Sequence, residues 1–216
     1  LAYVPLNLLL SLAIAVLLNN RFPGIKVIRS VYFVPVAVSG VVAASIFRFI
    51  FDQSNGPVNA FLGVLGYDPV PWLWDAKWSM WTIIIITLWK SVAFYSIILL
   101  AALQEVPEEL HEAAKVDGAG AWGRFIHVTV PSIRGILVTV TLISSIGAFK
   151  VFEPMFVLTK GGPADSTRTI SLLAYDAAFG AGELGYANAI SFTLLVLILA
   201  VTWVINRFAE APDDRK

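Results

Sequence analysis

Long stretches of this chain carry no charge, and such stretches recur. Residues 1–20 are uncharged, residues 30–47 lie between Arg29 and Arg48, and residues 185–205 form a third clean run. Residues 78–103 hold a single charge, Lys90, and residues 135–149 form a shorter apolar run. A surface helix of a soluble domain alternates an apolar stripe with a polar face at a 3.6-residue period. These runs show no such face. A bilayer crossing takes about 20 mainly apolar residues. The pattern therefore predicts an all-α integral membrane protein with spans at about 1–20, 28–50, 78–103, 132–152 and 184–206, a membrane domain over 1–208, and a charged tail at 209–216. The chain opens on Leu1 in mid-run, with no basic leader and no cleavage site. It reads as a fragment that lacks a preceding N-terminal part.

The segments between the runs differ in charge. Residues 21–29, 104–134 and the tail hold Arg21, Lys26, Arg29, Lys115, Arg124, Arg134, Arg207, Arg215 and Lys216. Residues 52–77 and 153–183 hold only Lys77, Lys160 and Arg168. Basic residues favour cytoplasmic loops, so the first set is assigned to the cytoplasm and the second to the outside. Trp72, Trp74, Trp78 and Trp81 cluster where the third span meets the outer surface, either as an interfacial belt or as packing within loop 52–77. The turn formers of that loop leave room for a short helix at Val58–Leu65.

Composition narrows the classes. Apolar residues make up 58% and charged residues 14%, against roughly 45–50% and about 25% in ordinary soluble domains. Fifteen basic and fifteen acidic side chains cancel, so no field steers nucleic acid toward the chain. With no Cys, disulfides, thiolate metal sites and cysteine nucleophiles are absent. There is no GxxxxGK[ST] loop to cradle a nucleotide and no His-Glu zinc motif. His111 and His127, the two histidines, fall in one loop and read as solvated or interface side chains.

Loop 104–131 is more ordered in pattern than a linker. Pro107 suits a helix start, Glu108 and Glu109 follow where the helix dipole favours acids, and Gly118 and Gly120 stop the helix. A second short helix fits Ala121–Val128, and Pro131 opens the next span. Read by itself, the first helix is either a solvated bridge or a surface for a partner.

Glu112-Ala113-Ala114, with Gly118 and then Val128-Thr129-Val130-Pro131 at fixed spacing, resembles the EAA loop of ABC importer permeases, with Val in place of Ile and Leu at 128 and 130. Asp117-Gly118-Ala119 strengthens the match. Asn55-Gly56-Pro57, Trp89-Lys90, Gln104-Glu105-Val106-Pro107, Leu158-Thr159-Lys160-Gly161-Gly162-Pro163 and Gly185-Tyr186-Ala187-Asn188 resemble the carbohydrate-uptake branch of maltose-transporter type. The resemblance implies a type I importer permease fold with a family core of six spans, five of them here, in the plasma membrane of a prokaryote. It implies a second permease subunit, two ATP-binding cassette subunits holding ATP and Mg, an extracytoplasmic solute-binding protein and a sugar-like solute. No cofactor or metal is expected on this chain. Glu112, Ala113, Ala114, Asp117 and Gly118 would form a coupling helix on the ATPase. Thr87, Lys90, Ser91 and Phe94, with Gly147, Ala148 and Val151 on the next span, are candidates for the solute path. Lys90 either lines that path or pairs with a carboxylate of the other permease, and the small residues either leave room for a ligand or pack helices. A stand-alone transporter or channel would instead want ionisable residues in several spans or an inverted repeat. An intramembrane enzyme would want acid pairs or metal ligands within them.

The topology is checkable in this cysteine-free background. A cysteine placed at Ala121 should react with an impermeant maleimide only from the cytoplasmic side, and labelling from outside intact cells would reverse the assignment.

Overall fold

The computed structural model describes residues 2–20 and 22–210, with the side chain of Glu210 excepted. Leu1, Arg21 and 211–216, hence most of the predicted tail with Arg215 and Lys216, lie outside the described residues. Among the described residues every regular element is helical. They run α1 (Tyr3–Leu18), α2 (Ile25–Tyr32), α3 (Val34–Ala37), α4 (Gly40–Ile50), α5 (Pro57–Val64), α6 (Ala76–Glu105), α7 (Glu108–Val116) and α8 (Ala121–Arg124). A π-helical stretch, Phe125–Thr129, leads into α9 (Val130–Ser132), α10 (Arg134–Lys150), α11 (Glu153–Leu158) and α12 (Ile170–Tyr175). A second π stretch, Asp176–Gly180, precedes α13 (Leu184–Glu210).

Among the described residues three segments are long and apolar enough to cross a membrane: Ala76–Glu105, Arg134–Leu158 and Leu184–Ala209. At 30 residues, α6 extends about 45 Å at 1.5 Å per residue, ample for a hydrocarbon core of about 30 Å. The predicted span 28–50 is not one helix. It is a broken pair, Ile25–Ala37 with Gly40–Ile50. Pro35 has no N–H for the Val31 carbonyl, so α2 closes at Tyr32, and Ser39 stands extended at φ −58°, ψ 142° before α4 begins. The predicted span 1–20 becomes the 16-residue α1, closed by Asn19 and shorter than the about 20 residues of an upright crossing.

The chain divides into two compact units, residues 1–36 with 90–145 and 204–216, and residues 37–89 with 146–203. In the first, Ala15 and Leu18 of α1 pack with Tyr95, Leu99, Leu100 and Leu103 of α6 and with Ile133 and Val140. The polar face of α1 points inward. Asn7 and Ser11 are fully buried, whereas Leu9 and Leu17 are each 65% exposed. Ser96 Oγ donates to the Val92 carbonyl at 2.6 Å and the Ser11 carbonyl at 3.2 Å, and Ser91 Oγ donates to Asn7 Oδ1 at 3.2 Å. Lipid rewards this inversion of the soluble pattern, because it offers no water to polar groups. On α13, Phe192, Leu195, Leu199 and Trp203 are exposed in the same sense.

In the second unit Ala44, Phe51, Leu73, Ile83, Ile86, Met155, Leu158 and Leu172 form the core. Asn59, on α5, organises loop 52–77. Its Nδ2 donates to the carbonyls of Gln53 (3.1 Å) and Val70 (2.9 Å), and its Oδ1 accepts from Val70 N–H (3.1 Å) and Trp72 Nε1 (2.9 Å). The tryptophans therefore split. Trp72 packs against Phe51 and Trp78, while Trp74 and Trp81 are half exposed or more. Helix α5 occupies Pro57–Val64, one residue before the sequence expectation, because Pro57 serves as the first helical residue.

Asn59→Ala would leave the half-buried Trp72 indole N–H and three backbone groups without this partner. A loss of about 1–3 kcal/mol is expected, read as earlier thermal unfolding in detergent, with Asn59→Asp recovering only the acceptor half.

Candidate functional site

The segment after α6 is built by its own punctuation. Pro107 sits at the N-cap with φ −58°, ψ 134°, so α7 begins one residue later than the expected start at Pro107. Glu108 and Glu109 occupy the first turn of α7 and Lys115 the last, each sign matching its end of the helix dipole. Gly118 adopts φ +80°. Its N–H donates to the Lys115 carbonyl at 3.1 Å, and Ala119 N–H donates to the Ala114 carbonyl at 2.9 Å. This pair of bonds is the Schellman closure, and it needs a left-handed residue at Gly118.

No residue of α7 is buried. Glu112, Ala113 and Asp117 are exposed and Ala114 is half-buried. The two ion pairs found among the described residues both belong to Arg168, so Glu112 has no cation partner among them. Exposed apolar side chains lie along the same segment, with Leu110 47%, Val116 88% and Trp122 72% accessible. Sequence reasoning passed over Val116 and Trp122. The available signal was a large apolar residue at each end of the glycine turn. The predicted second helix, Ala121–Val128, is α-helical only to Arg124 and then widens into the π stretch. Pro131 cannot donate to the His127 carbonyl and crowds it, so the ladder shifts and Val130 N–H bonds Phe125 instead.

The second face of α7 borders a groove of about 1070 Å³. Glu108, His111, Glu112 and Lys115 form one wall, and Asn19, Asn20, Phe22, Lys26 and Arg29 form the other. Nothing in the sequence pattern places these two segments together. Arg29 is fixed there by donating Nε and Nη2 to the Leu18 carbonyl, at 3.1 and 2.6 Å.

The solute-path candidates fall in different surroundings. In the first unit, Ser91 is turned onto Asn7 of α1, Phe94 is 43% exposed with its ring edge-on to Tyr95 at 5.2 Å, and Lys90 is half-buried and engaged within the protein. In the second, Thr87 donates back to the Ile83 carbonyl at 2.8 Å, Gly147 is exposed and Ala148 half-buried. The Val151 carbonyl accepts from Thr169 Oγ1 at 3.1 Å. Thr87 and Ser91 thus already use their hydroxyls within the protein. The Leu158–Pro163 segment continues into a tied loop. Thr159 and Thr167 share a 2.6 Å hydroxyl contact, and Thr167 Oγ1 donates to the Gly162 carbonyl at 2.8 Å. Among the described residues no cluster of His, Asp or Glu is placed to hold a metal ion.

Residues 7–212 match the family described as the binding-protein-dependent transport system inner membrane component. The chain belongs to this family. As such a component it is a multi-pass permease protein of the inner membrane. It is 37% identical over 211 residues to the trehalose/maltose transport system permease protein MalF of Thermococcus litoralis, covering 98% of this chain and 71% of that one. It is 34% identical to the lactose transport system permease protein LacF of Rhizobium radiobacter, over 93% of this chain and 69% of that one. It is 33% identical to the arabinooligosaccharides transport system permease protein AraP of Bacillus subtilis, over 93% and 64%. The chain thus spans about two thirds of the length of these permeases. Its fold matches a chain of a bacterial ABC transporter involved in import of the acidic polysaccharide alginate, with TM-score 0.88 at 24% identity, over 98% of this chain and 77% of that one.

Gly118→Val should fray the end of α7, since a β-branched residue resists positive φ. A cost of about 1–2 kcal/mol is expected, visible as faster amide exchange at Gly118 and Ala119, whose N–H groups make the closure, with the membrane helices unaffected.

Proposed function

We propose that this permease is one membrane-spanning subunit of an ATP-driven importer, passing a carbohydrate or related polyol handed over by an extracytoplasmic solute-binding protein. It works beside a second permease subunit and above two ATP-binding subunits, which hold the ATP and Mg. This chain binds no cofactor and catalyses no reaction. The observation that carries the reading is α7, a helix with no buried residue, closed at its C-terminal end by Gly118, that offers Glu112, without an ion pair among the described residues, beside small Ala113 and Ala114 between two membrane helices. The carboxylate suits a bidentate cation on a partner, and the alanines let that partner approach closely. Closure of the ATP-binding subunits moves this contact. The differential energy of docking in the two states is what the attached spans transmit.

A sugar-like solute is supported by the relatives, whose names refer to trehalose/maltose, lactose and arabinooligosaccharides. For its path we favour Phe94, which keeps an exposed ring, with the Lys90 charge on the same helix. Thr87, Ser91, Gly147 and Val151 contribute shape and packing. An aromatic face covers the C–H surface of a sugar ring, and a charge at this depth is costly unless it meets a cavity or a partner. The tied loop 159–169 belongs on the side of the binding protein.

Two measurements test this in the assembled complex. Glu112→Ala should lower ATP-driven uptake about 10- to 100-fold at equal membrane abundance, the equivalent of about 1.5–3 kcal/mol for a lost charge-assisted contact. Wild-type uptake would refute the coupling role. Phe94→Ala and Lys90→Met should leave the complex assembled while changing uptake or solute preference. Disassembly on Lys90→Met alone would make that lysine a subunit brace.

A further inference from the structure

The groove beside α7 lies apart from the solute-path candidates on α6 and α10. Its walls carry both signs of charge. Lys26, Lys115 and Arg124 line it together with Glu108 and Glu112, and none of the five has an ion pair among the described residues. Accepting the coupling role of α7 proposed above, we infer that a segment of the ATP-binding subunit seats in this groove. The docking surface then runs from Glu112 across to Lys26, in the first turn of α2.

Three features favour a protein segment over a lipid headgroup. A phosphate would meet Glu108 and Glu112 as well as the cations, whereas a peptide segment presents both signs: a basic side chain toward Glu112 and an acidic one toward Lys26. The space of about 1070 Å³ is at the top of the range for small-ligand sites and holds several side chains. The third feature is the orientation of α2. Its Val27, Ile28 and Val31 are 67%, 48% and 66% exposed on one side, while Lys26 and Arg29 line the groove on the other.

The consequence is mechanical. Arg29 holds α2 to the last carbonyls of α1 through Leu18. A partner that grips Lys26 therefore loads α1 and α2 directly, in addition to the helices joined by α7. The start of α2 becomes a second coupling point on the same subunit.

The sequence has no Cys, so single positions can be addressed in the purified complex of both permeases and both ATP-binding subunits. Lys26→Cys and Glu112→Cys, each carrying a benzophenone maleimide, should both crosslink to the ATP-binding subunit on illumination. Capture from Glu112→Cys with only lipid or nothing from Lys26→Cys would overturn the inference and leave the coupling role standing. Capture from neither would remove both. Lys26→Glu should also reduce solute-stimulated ATP hydrolysis about tenfold through repulsion of the acidic partner, with Lys26→Arg near wild type. Unchanged hydrolysis in Lys26→Glu would count against the seat.

Discussion

Lipid offers no hydrogen bonds, and the structure is arranged around that constraint. Backbone groups are satisfied within helices, and the side chains that still need partners are turned inward. Ser11, Ser79, Thr82, Ser96 and Ser144 are all essentially buried. Most answer a carbonyl four residues back or on a neighbouring helix. Thr82 Oγ1 reaches both the Trp78 and Trp72 carbonyls, at 3.0 and 3.1 Å. Small hydroxyl residues also let backbones approach, so the same positions provide packing and polarity. Asn7 Nδ2 is the one buried side-chain donor among the described residues that the protein leaves unmet.

Breaks in helices are allowed where something else takes up the freed groups. At the end of α10, Ser171 Oγ donates to the Phe149 carbonyl and Thr169 Oγ1 to the Val151 carbonyl, and Thr169 also accepts from Leu172 N–H. Two hydroxyls thereby close one helix and start another. At the start of α4 the solution is a carboxylate. Any Cβ at position 40 would overlap Glu153, so glycine there lets that acid approach the positive end of the α4 dipole. Lower down the same helix pair, Arg48 reaches the Val157 carbonyl at 3.5 Å, where α11 presents its negative end. Helices α4 and α11 are thus matched sign to sign at both ends.

Features set by local chemistry were legible in the sequence. The acids after Pro107 and the glycine at 118 define α7 because caps act within a turn or two, and the run 78–103 lies within α6 because hydropathy sums over a span. Breaks were not legible in the same way. Hydropathy is blind to the gap at Val38–Ser39, since both of its flanks are equally apolar. The π stretch at Phe125–Thr129 depends on how the ladder rearranges around Pro131, which composition does not encode. Ser91 is a solute-path candidate in the sequence, yet its hydroxyl is turned onto Asn7, 84 positions away on another helix. The groove wall at Lys26 is of the same kind, brought to α7 only by tertiary packing.

Helix α7 therefore has an unusual mechanical status. With no buried residue of its own, its place is not fixed by a core. It is fixed by stiff ends: the Pro107 junction with α6 on one side, and on the other the glycine closure, α8 and the π stretch leading to α10. A helix held by a core resists displacement by losing packing, and so absorbs force locally. One held by its ends passes displacement to whatever it is joined to, because little packing is lost when it moves. The exposed Leu110, Val116 and Trp122 fit this account. Left in water they are a liability, whereas under a partner they supply the apolar grip that a lone carboxylate lacks. The features that would make α7 a poor element of an isolated protein are those that make it a good lever within an assembly.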